Sequence, residues 1–127
     1  MNELIQVVTT FGDRHACQKV AGFLIDERLA ACVQIGGPVE SWYEWEGQTE
    51  QAEEWVLTIK TTEAVFPLLE KRIAELHPYD EPEIIAMPIT QASRGYRQWV
   101  HKQVQLQSAI DERSQQKAHP DELDRNA

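Results

Sequence analysis

The side chains best suited to ligate a soft metal ion are two cysteines and four histidines, spread widely along the chain. They are Cys17, Cys32, His15, His77, His101 and His119. Copper favours thiolate, thioether and imidazole ligands, and a closed zinc site needs four Cys or His ligands in tetrahedral reach. No C-x-x-C or H-x-x-x-H pair occurs among the six residues. Their spacing therefore does not predict a preformed soft-metal site.

His77 and Cys32 are nevertheless the two candidate metal ligands. His77 belongs to the segment LHPYDEPEIIAMPI, residues 76–89, in which Pro78 is typical of a helix end. A histidine at that position can interact with the last helix carbonyls, or its imidazole can bind a metal ion. Cys32 lies in AACVQI, where a cysteine usually packs as a small apolar residue. Both alternatives stay open for each residue.

A second kind of cation chemistry is indicated by acidic residues. Residues 29–59 contain no Lys or Arg. Carboxylates suit hard cations such as Ca²⁺ and Mg²⁺, but they also serve as an ordinary solvated surface. Both interpretations apply to the glutamates of this stretch: Glu40, Glu44, Glu46, Glu50, Glu53 and Glu54.

Composition and missing motifs exclude several other functions. The 127 residues carry a formal charge of −9, which disfavours binding to nucleic-acid phosphates. There is no phosphate-binding glycine loop and no G-x-S-x-G, and we predict no enzymatic activity. The N-terminus lacks a basic, then apolar, signal sequence, and no apolar run is long enough to span a membrane. The two cysteines are too few for a disulfide framework, so we expect a cytoplasmic protein.

The apolar pattern predicts an α+β domain of ferredoxin-like, split-βαβ type. Strands and helices alternate as β-α-β-β-α-β, followed by a C-terminal helix, around an antiparallel sheet. Pro82 and Pro88 bracket the last short strand, since proline is tolerated at strand ends. The domain is predicted to cover residues 1–104. Residues 105–127 are predicted to extend the last helix and then to form a disordered polar tail.

The central hairpin, residues 39–60, is too long for a single domain of this size. If residues 31–45 were extended, they would span roughly 50 Å, whereas the domain should be about 35 Å across. Part of the hairpin should therefore project. Aromatic side chains at both odd and even positions would face both sides of it, which invites pairing with another chain. The predicted interface residues are Trp42, Tyr43, Trp45 and Trp55.

Four segments together resemble the CutA, or divalent-cation tolerance, family. They are LAACVQI, SWYEWEGQTEQAEEWVLTIKTT, LHPYDEPEIIAMPI and YRQWV, in this order between residues 4 and 104. The resemblance implies a ferredoxin-like fold, a homotrimer built by hairpin pairing, a cytoplasmic location and an association with copper or another divalent cation. Some family members carry a Cys at the end of the first strand and paired histidines before Pro-Tyr. Here Thr9, Thr10 and a single His77 occupy those positions.

The resemblance also implies an alternative function. The family's trimer is similar to that of the PII signalling proteins, which bind small ligands in clefts between subunits, so a sensor or scaffold role is the second hypothesis. Lys60 could pair with a buried carboxylate such as Glu83, or it could reach an intersubunit cleft beside Tyr79. The resemblance favours the cleft. The candidate cleft residues are Lys60, Tyr79, Glu83 and Trp45.

Overall fold

The fold is an α+β domain with one four-stranded antiparallel sheet and three helices, as the sequence predicts. A computed structural model describes residues 3–104. The predicted helix extension and tail, residues 105–127, lie outside that range, and the domain boundary stays a prediction. The elements are β1 (Leu4–Phe11), α1 (Arg14–Asp26), β2 (Cys32–Trp45), β3 (Gln48–Thr62), a 3₁₀ turn (Glu63–Val65), α2 (Phe66–Leu76), β4 (Ile85–Pro88) and α3 (Arg94–Gln103).

The strand order, β2-β3-β1-β4, places the first strand in the interior of the sheet. β1 pairs with β3 along its whole length, from Leu4 opposite Thr62 to Phe11 opposite Trp55. On its other side, β1 pairs with the short β4, and Ile5 lies opposite Pro88. The connection of two βα units through the β2–β3 hairpin gives the ferredoxin-like topology.

Local sequence signals account for most of the element boundaries. Asp13 caps α1, accepting a hydrogen bond of 3.1 Å from the Ala16 amide, and Ser93 caps α3 in the same way. Pro67 lies in the first turn of α2, where a missing amide hydrogen costs nothing. The last strand begins at Ile85, later than expected, although Pro88 does mark its end. None of the helices within residues 3–104 is long and apolar enough to cross a membrane.

The main core lies between α1, α2 and one face of the sheet. Val7 and Phe11 of β1 and Leu57 of β3 are completely buried there. A bidentate ion pair between Arg72 of α2 and Glu27, just after α1, joins the two helices at 2.7 Å. This layer covers the helix-facing side of β1 and β3, including the end of β1 near Phe11.

The opposite side of the sheet, which we call the open face, is only partly covered. α3 packs over one end of it, where Leu4 and Val100 belong to a second, smaller core. Farther along, Ile85 and Met87 of β4 remain 49% and 40% exposed. The register places Ile85 beside Val8, so these apolar side chains form a continuous strip.

The β2–β3 hairpin projects beyond the core, as predicted. Its two strands shift register between Gly36 and Val39, which is the bulge expected from the Gly-Gly-Pro sequence. From Val39 to the tip the strand continues for about 20 Å at 3.3 Å per residue. Most side chains on this projecting part are exposed, including those of Trp42 and Trp45.

The two glycines of the bulge differ in the space that is available for a side chain, and this difference can be tested by substitution. Gly37 has a φ of +129°, and a Cβ there would lie 3.0 Å from the Glu54 carbonyl oxygen. Gly36 has open space around the same position. We expect Gly37→Ala to lower the free energy of unfolding by about 1–3 kcal/mol, and Gly36→Ala to change it by much less. Chemical denaturation of both variants measures this difference. Equal losses of stability in the two variants would contradict the expectation that a side chain at position 37 is strained.

Candidate functional site

His77 lies at the end of α2 and is tied to the end of β1. Its backbone amide donates to the Ile73 carbonyl and so completes the helix. Its ring Nε2 lies 2.8 Å from the carbonyl oxygen of Thr10, and its Nδ1 lies 3.1 Å from the amide nitrogen of Tyr79. Each of the two ring nitrogens therefore has a backbone partner.

These partners determine the protonation of the ring. A carbonyl oxygen can only accept, so Nε2 carries the hydrogen that it donates to Thr10. An amide N–H can only donate, so Nδ1 uses its lone pair to accept from Tyr79. The His77 ring is consequently neutral. A metal ion could bind Nδ1 only after the Tyr79 amide had given up this bond.

Burial further favours the neutral ring. His77 is 8% exposed and stacks on Phe11, with ring centroids 4.1 Å apart and planes 15° apart. Loss of hydration lowers the pKa of His77 below its usual 6.5, and this outweighs the opposing effects of the Thr10 hydrogen bond and the Glu54 charge. The ring is therefore an uncharged structural partner of β1 at neutral pH.

Tyr79 connects this end of the sheet to the hairpin. Its hydroxyl donates to a carboxylate oxygen of Glu54 over 2.9 Å, and its ring leans against the His77 ring at 4.8 Å. Burial, followed by the hydrogen bond and the charge of Glu54, raises the pKa of Tyr79 to about 12. The hydroxyl therefore keeps its proton and remains a donor. His77, Tyr79 and Glu54 form the polar cluster that we call the β1-end cluster.

Cys32, the second predicted metal ligand, does not join this cluster. Through Lys60 of β3, Cys32 is level with Gln6 of β1. His77 instead bonds to Thr10, farther along β1. Four residues along a strand separate these positions by about 13 Å. Within residues 3–104, no group of three or more His, Cys, Asp or Glu side chains could hold a metal ion. One subunit thus brings together no complete site from His77 and Cys32.

Cys17 is completely buried in the main core. Loss of hydration raises the pKa of its thiol to about 11, against a smaller opposing effect of Arg14. It is a protonated, apolar packing group at neutral pH.

The four predicted cleft residues have different surroundings within one subunit. Lys60 donates to the side-chain oxygen of Gln34 over 2.8 Å. Glu83 is exposed, so it is not the buried partner that one hypothesis for Lys60 required. Trp45 lies at the hairpin tip, and Tyr79 belongs to the β1-end cluster. A shared cleft formed by these side chains stays a prediction.

The four aromatic residues predicted for an interface fall into two groups. Trp42, Tyr43 and Trp45 are 62%, 48% and 63% exposed on the projecting hairpin. Trp55 instead lies opposite Phe11 and packs against the main core. Trp55 lies on the core side of the bulge, and its side chain faces the helices, as that of Leu57 does. Within the subunit, Trp55 is therefore a partly buried residue packed against the main core.

Two members of this region were missed by the sequence reasoning, Glu54 and Phe11. Glu54 was counted only as part of the acidic stretch, yet it is the carboxylate that accepts from Tyr79. Phe11 is the stacking partner of His77. The alternation along β1 indicates the position of Phe11: it lies four residues after the buried Val7, so both side chains face the same side of the sheet. No local pattern could indicate Glu54, because its partner is 25 residues away.

The environment of His77 predicts a pH dependence of stability. Its folded-state pKa lies below that of the unfolded chain, so the stabilisation is complete above about pH 6.5 and is lost as the pH falls through the folded-state pKa. We expect His77→Gln to melt lower than the parent protein at pH 7.5, but to lose less on going to pH 5. The measurement is melting temperature against pH at fixed protein concentration.

His15, which is exposed on α1, provides the matched control. His15→Gln should keep the pH profile of the parent protein. If the melting temperatures of the parent and of His77→Gln changed in parallel with pH, His77 would not be the source of the acid-sensitive part of the stability.

Comparison with known proteins agrees with this architecture. Residues 5–103 match the family model described as CutA1 divalent ion tolerance protein. The divalent-cation tolerance protein CutA of Thermus thermophilus is 40% identical over 96 residues, which cover 76% of this chain and 93% of that protein. The chloroplastic protein CutA of Arabidopsis thaliana is 42% identical over 96 residues, 76% of this chain and 53% of that protein.

Solved structures show the same fold. The crystal structure of CutA1 from Oryza sativa superposes with a TM-score of 0.80 at 37% identity, covering 81% of this chain and 94% of that one. CutA1 from Thermus thermophilus gives a TM-score of 0.77 at 38% identity, covering 83% of this chain and 100% of that one. Together with the family match over nearly all of the described residues, these similarities show that the chain belongs to the CutA1 divalent ion tolerance family.

Proposed function

We propose that this chain forms a homotrimer that acts in tolerance to divalent cations and binds copper or a related ion weakly. The observation that carries the proposal is the hairpin, whose Trp42 and Trp45 are more than 60% exposed in one subunit. Large aromatic side chains grouped on a strand edge are typical of surfaces that bind another protein chain. The family name supplies the link to divalent cations.

Two further features support self-association. β2 is an edge strand of 14 residues, so one side of it offers unpaired backbone groups. The open face also leaves Ile85 and Met87 partly in water. Further copies of the chain can pair with the outer edge of β2 and cover the apolar strip of the open face. The number of three subunits is inferred from the resemblance of the hairpin motifs to those of the CutA family.

The proposed cation binding is weak for a reason found at His77. Nε2 donates to Thr10, and Nδ1 accepts from Tyr79, so a metal ion must compete with a backbone hydrogen bond for the only lone pair. Carboxylates or a neighbouring subunit must supply the remaining ligands, because His77 and Cys32 are far apart within one subunit. We propose no catalytic step. The relatives are named for tolerance to cations, not for a reaction.

The assembly is tested by sedimentation. We expect the purified protein to sediment as a trimer at low micromolar concentration. Trp45→Ala should shift the distribution towards smaller species, because buried aromatic residues dominate interface energies. Glu46→Ala, an exposed turn residue beside it, is the matched control and should keep the trimer. A mainly monomeric parent protein would contradict the proposal, and an unchanged profile for Trp45→Ala would remove that residue from the interface.

The metal assignment is tested by calorimetric titration with Cu²⁺. We expect weak binding that His77→Ala largely abolishes, whereas His15→Ala leaves it unchanged. Because ligation needs a neutral imidazole and burial lowers the pKa of His77, binding should persist below pH 6.5, the usual histidine pKa, and decline only as the pH falls through the lower pKa of His77. Cys32→Ser tests the second candidate. Tight binding that survives His77→Ala would exclude His77, and its loss in a folded Cys32→Ser trimer would assign the site to that thiol.

A PII-like sensor that binds a small molecule between subunits is the second candidate function. It is favoured by Lys60, whose ammonium group donates to the neutral amide of Gln34. Within residues 3–104 it forms no ion pair with a carboxylate. A half-buried positive charge without an anionic partner suits a ligand that carries a carboxylate or phosphate group.

A thermal-shift screen of anionic metabolites tests this alternative. We expect at least one compound to raise the melting temperature of the parent protein, since a ligand stabilises the state that it binds. Lys60→Gln should lose that shift, whereas Lys71→Gln, on the exposed side of α2, should retain it. Equal shifts in both variants would place the anion elsewhere.

A further inference from the structure

The central part of the open face carries one charged side chain, that of Lys60. Residues directly opposite one another on paired strands share a face, and Lys60 lies between Cys32 of β2 and Gln6 of β1. The next row along the strands places Gln34 and Val8 on the same side. Among the strand residues that face this side below the bulge, all of them described by the structure, only Lys60 is charged.

The projecting hairpin has two different sides. Tyr43 lies opposite Glu50, and Trp45 is two residues after Tyr43, so these three side chains share one side. Positions 50 and 60 of the continuous strand β3 differ by an even number, which puts Glu50 on the same side of the sheet as Lys60. We call this side of the hairpin, which continues the open face, the inner side.

Glu50 is the free carboxylate on the inner side. Of the glutamates on the two hairpin strands, Glu50 and Glu54 face inward, and Glu54 already accepts a hydrogen bond from Tyr79. Glu40 and Glu53 lie opposite each other on the other side of the hairpin. Within residues 3–104, Glu50 forms neither a hydrogen bond nor an ion pair.

Lys60 and Glu50 cannot meet within one subunit. Ten residues of one extended strand separate them by about 33 Å at 3.3 Å per residue. The hairpin also continues the sheet away from the body of the subunit, so it cannot cover its own open face. Any contact between the two charges must therefore join two copies of the chain.

We propose that the inner side of one hairpin lies over the open face of the next copy, where Glu50 forms an ion pair with Lys60. This inference rests on the proposed trimer and names the contact that aligns its subunits. Trp45 would cover the apolar strip formed by Val8 and Ile85, and this would remove Lys60 from water. A buried charge without a partner is strongly destabilising, so the carboxylate of Glu50 is needed there and fixes the register.

The contact joins two different surfaces, so it repeats head to tail and can close into a ring. It also gives Lys60 the carboxylate that it lacks within its own subunit. The second candidate function assigns the same place to a small anion, which would have to compete with Glu50 for the ammonium group.

Charge reversal followed by sedimentation tests the ion pair. Lys60→Glu or Glu50→Lys alone places two like charges at the contact, and we expect either to raise the dissociation constant of the assembly by about 30-fold or more. The double variant restores opposite charges and should regain most of the assembly. Recovery in the double variant also shows that the single variants did not simply fail to fold.

Glu53 provides the matched control, since it lies on the other side of the hairpin. Glu53→Lys should leave the assembly unchanged and should not rescue Lys60→Glu. A trimeric parent protein that tolerates both single reversals, or equal rescue by Glu53→Lys, would overturn the ion pair but not the trimer. A monomeric parent protein would overturn both.

A disulfide cross-link tests the position of the contact independently of charge. In a Cys32→Ser background, Lys60→Cys combined with Glu50→Cys should form covalently linked copies on mild oxidation, because the two positions are too far apart to join within one subunit. Lys60→Cys combined with Glu53→Cys should form far fewer. Absence of cross-links in the first variant while it sediments as a trimer would overturn the proposal.

Discussion

A single antiparallel sheet has two faces, and α1 and α2 can cover only one of them. The buried face, with Val7, Phe11 and Leu57, stabilises the subunit through the burial of apolar surface. The other face is covered by α3 at one end and remains partly apolar and exposed near Ile85 and Met87. The outer edge of β2 and the aromatic side chains of the projecting hairpin are exposed as well. These exposed groups are the physical basis of the proposed association with further copies.

The β1-end cluster connects that surface to the core. His77 bonds to β1 and stacks on Phe11, and Tyr79 bonds to Glu54 at the hairpin base. The histidine that the sequence offered as a metal ligand is therefore first a structural residue, and any metal binding competes with that role. This competition is the physical reason for proposing that metal binding at His77 is weak.

The sequence predicted those parts of the structure that depend on near neighbours. The helix caps at Asp13 and Ser93 and the bulge at Gly-Gly-Pro all depend on residue types within a few positions of one another. The parts it missed depend on partners far along the chain. Glu54 meets Tyr79 only after β3, β1 and α2 have assembled. Trp55 lies on the core-facing side of β3 with Leu57, and its place in an interface stays a prediction.

The central claim is that copies of this chain cover the outer edge of β2. Residue-resolved hydrogen exchange of the β2 backbone amides measures this most directly, because these amides have no strand partner on that side within the described subunit. We expect amides on the outer side of residues 39–45 to be strongly protected relative to unstructured peptides at about 10 μM protein, because amides of paired strands exchange only when the pairing opens. Exchange of these amides at the rate of an unstructured peptide would contradict it.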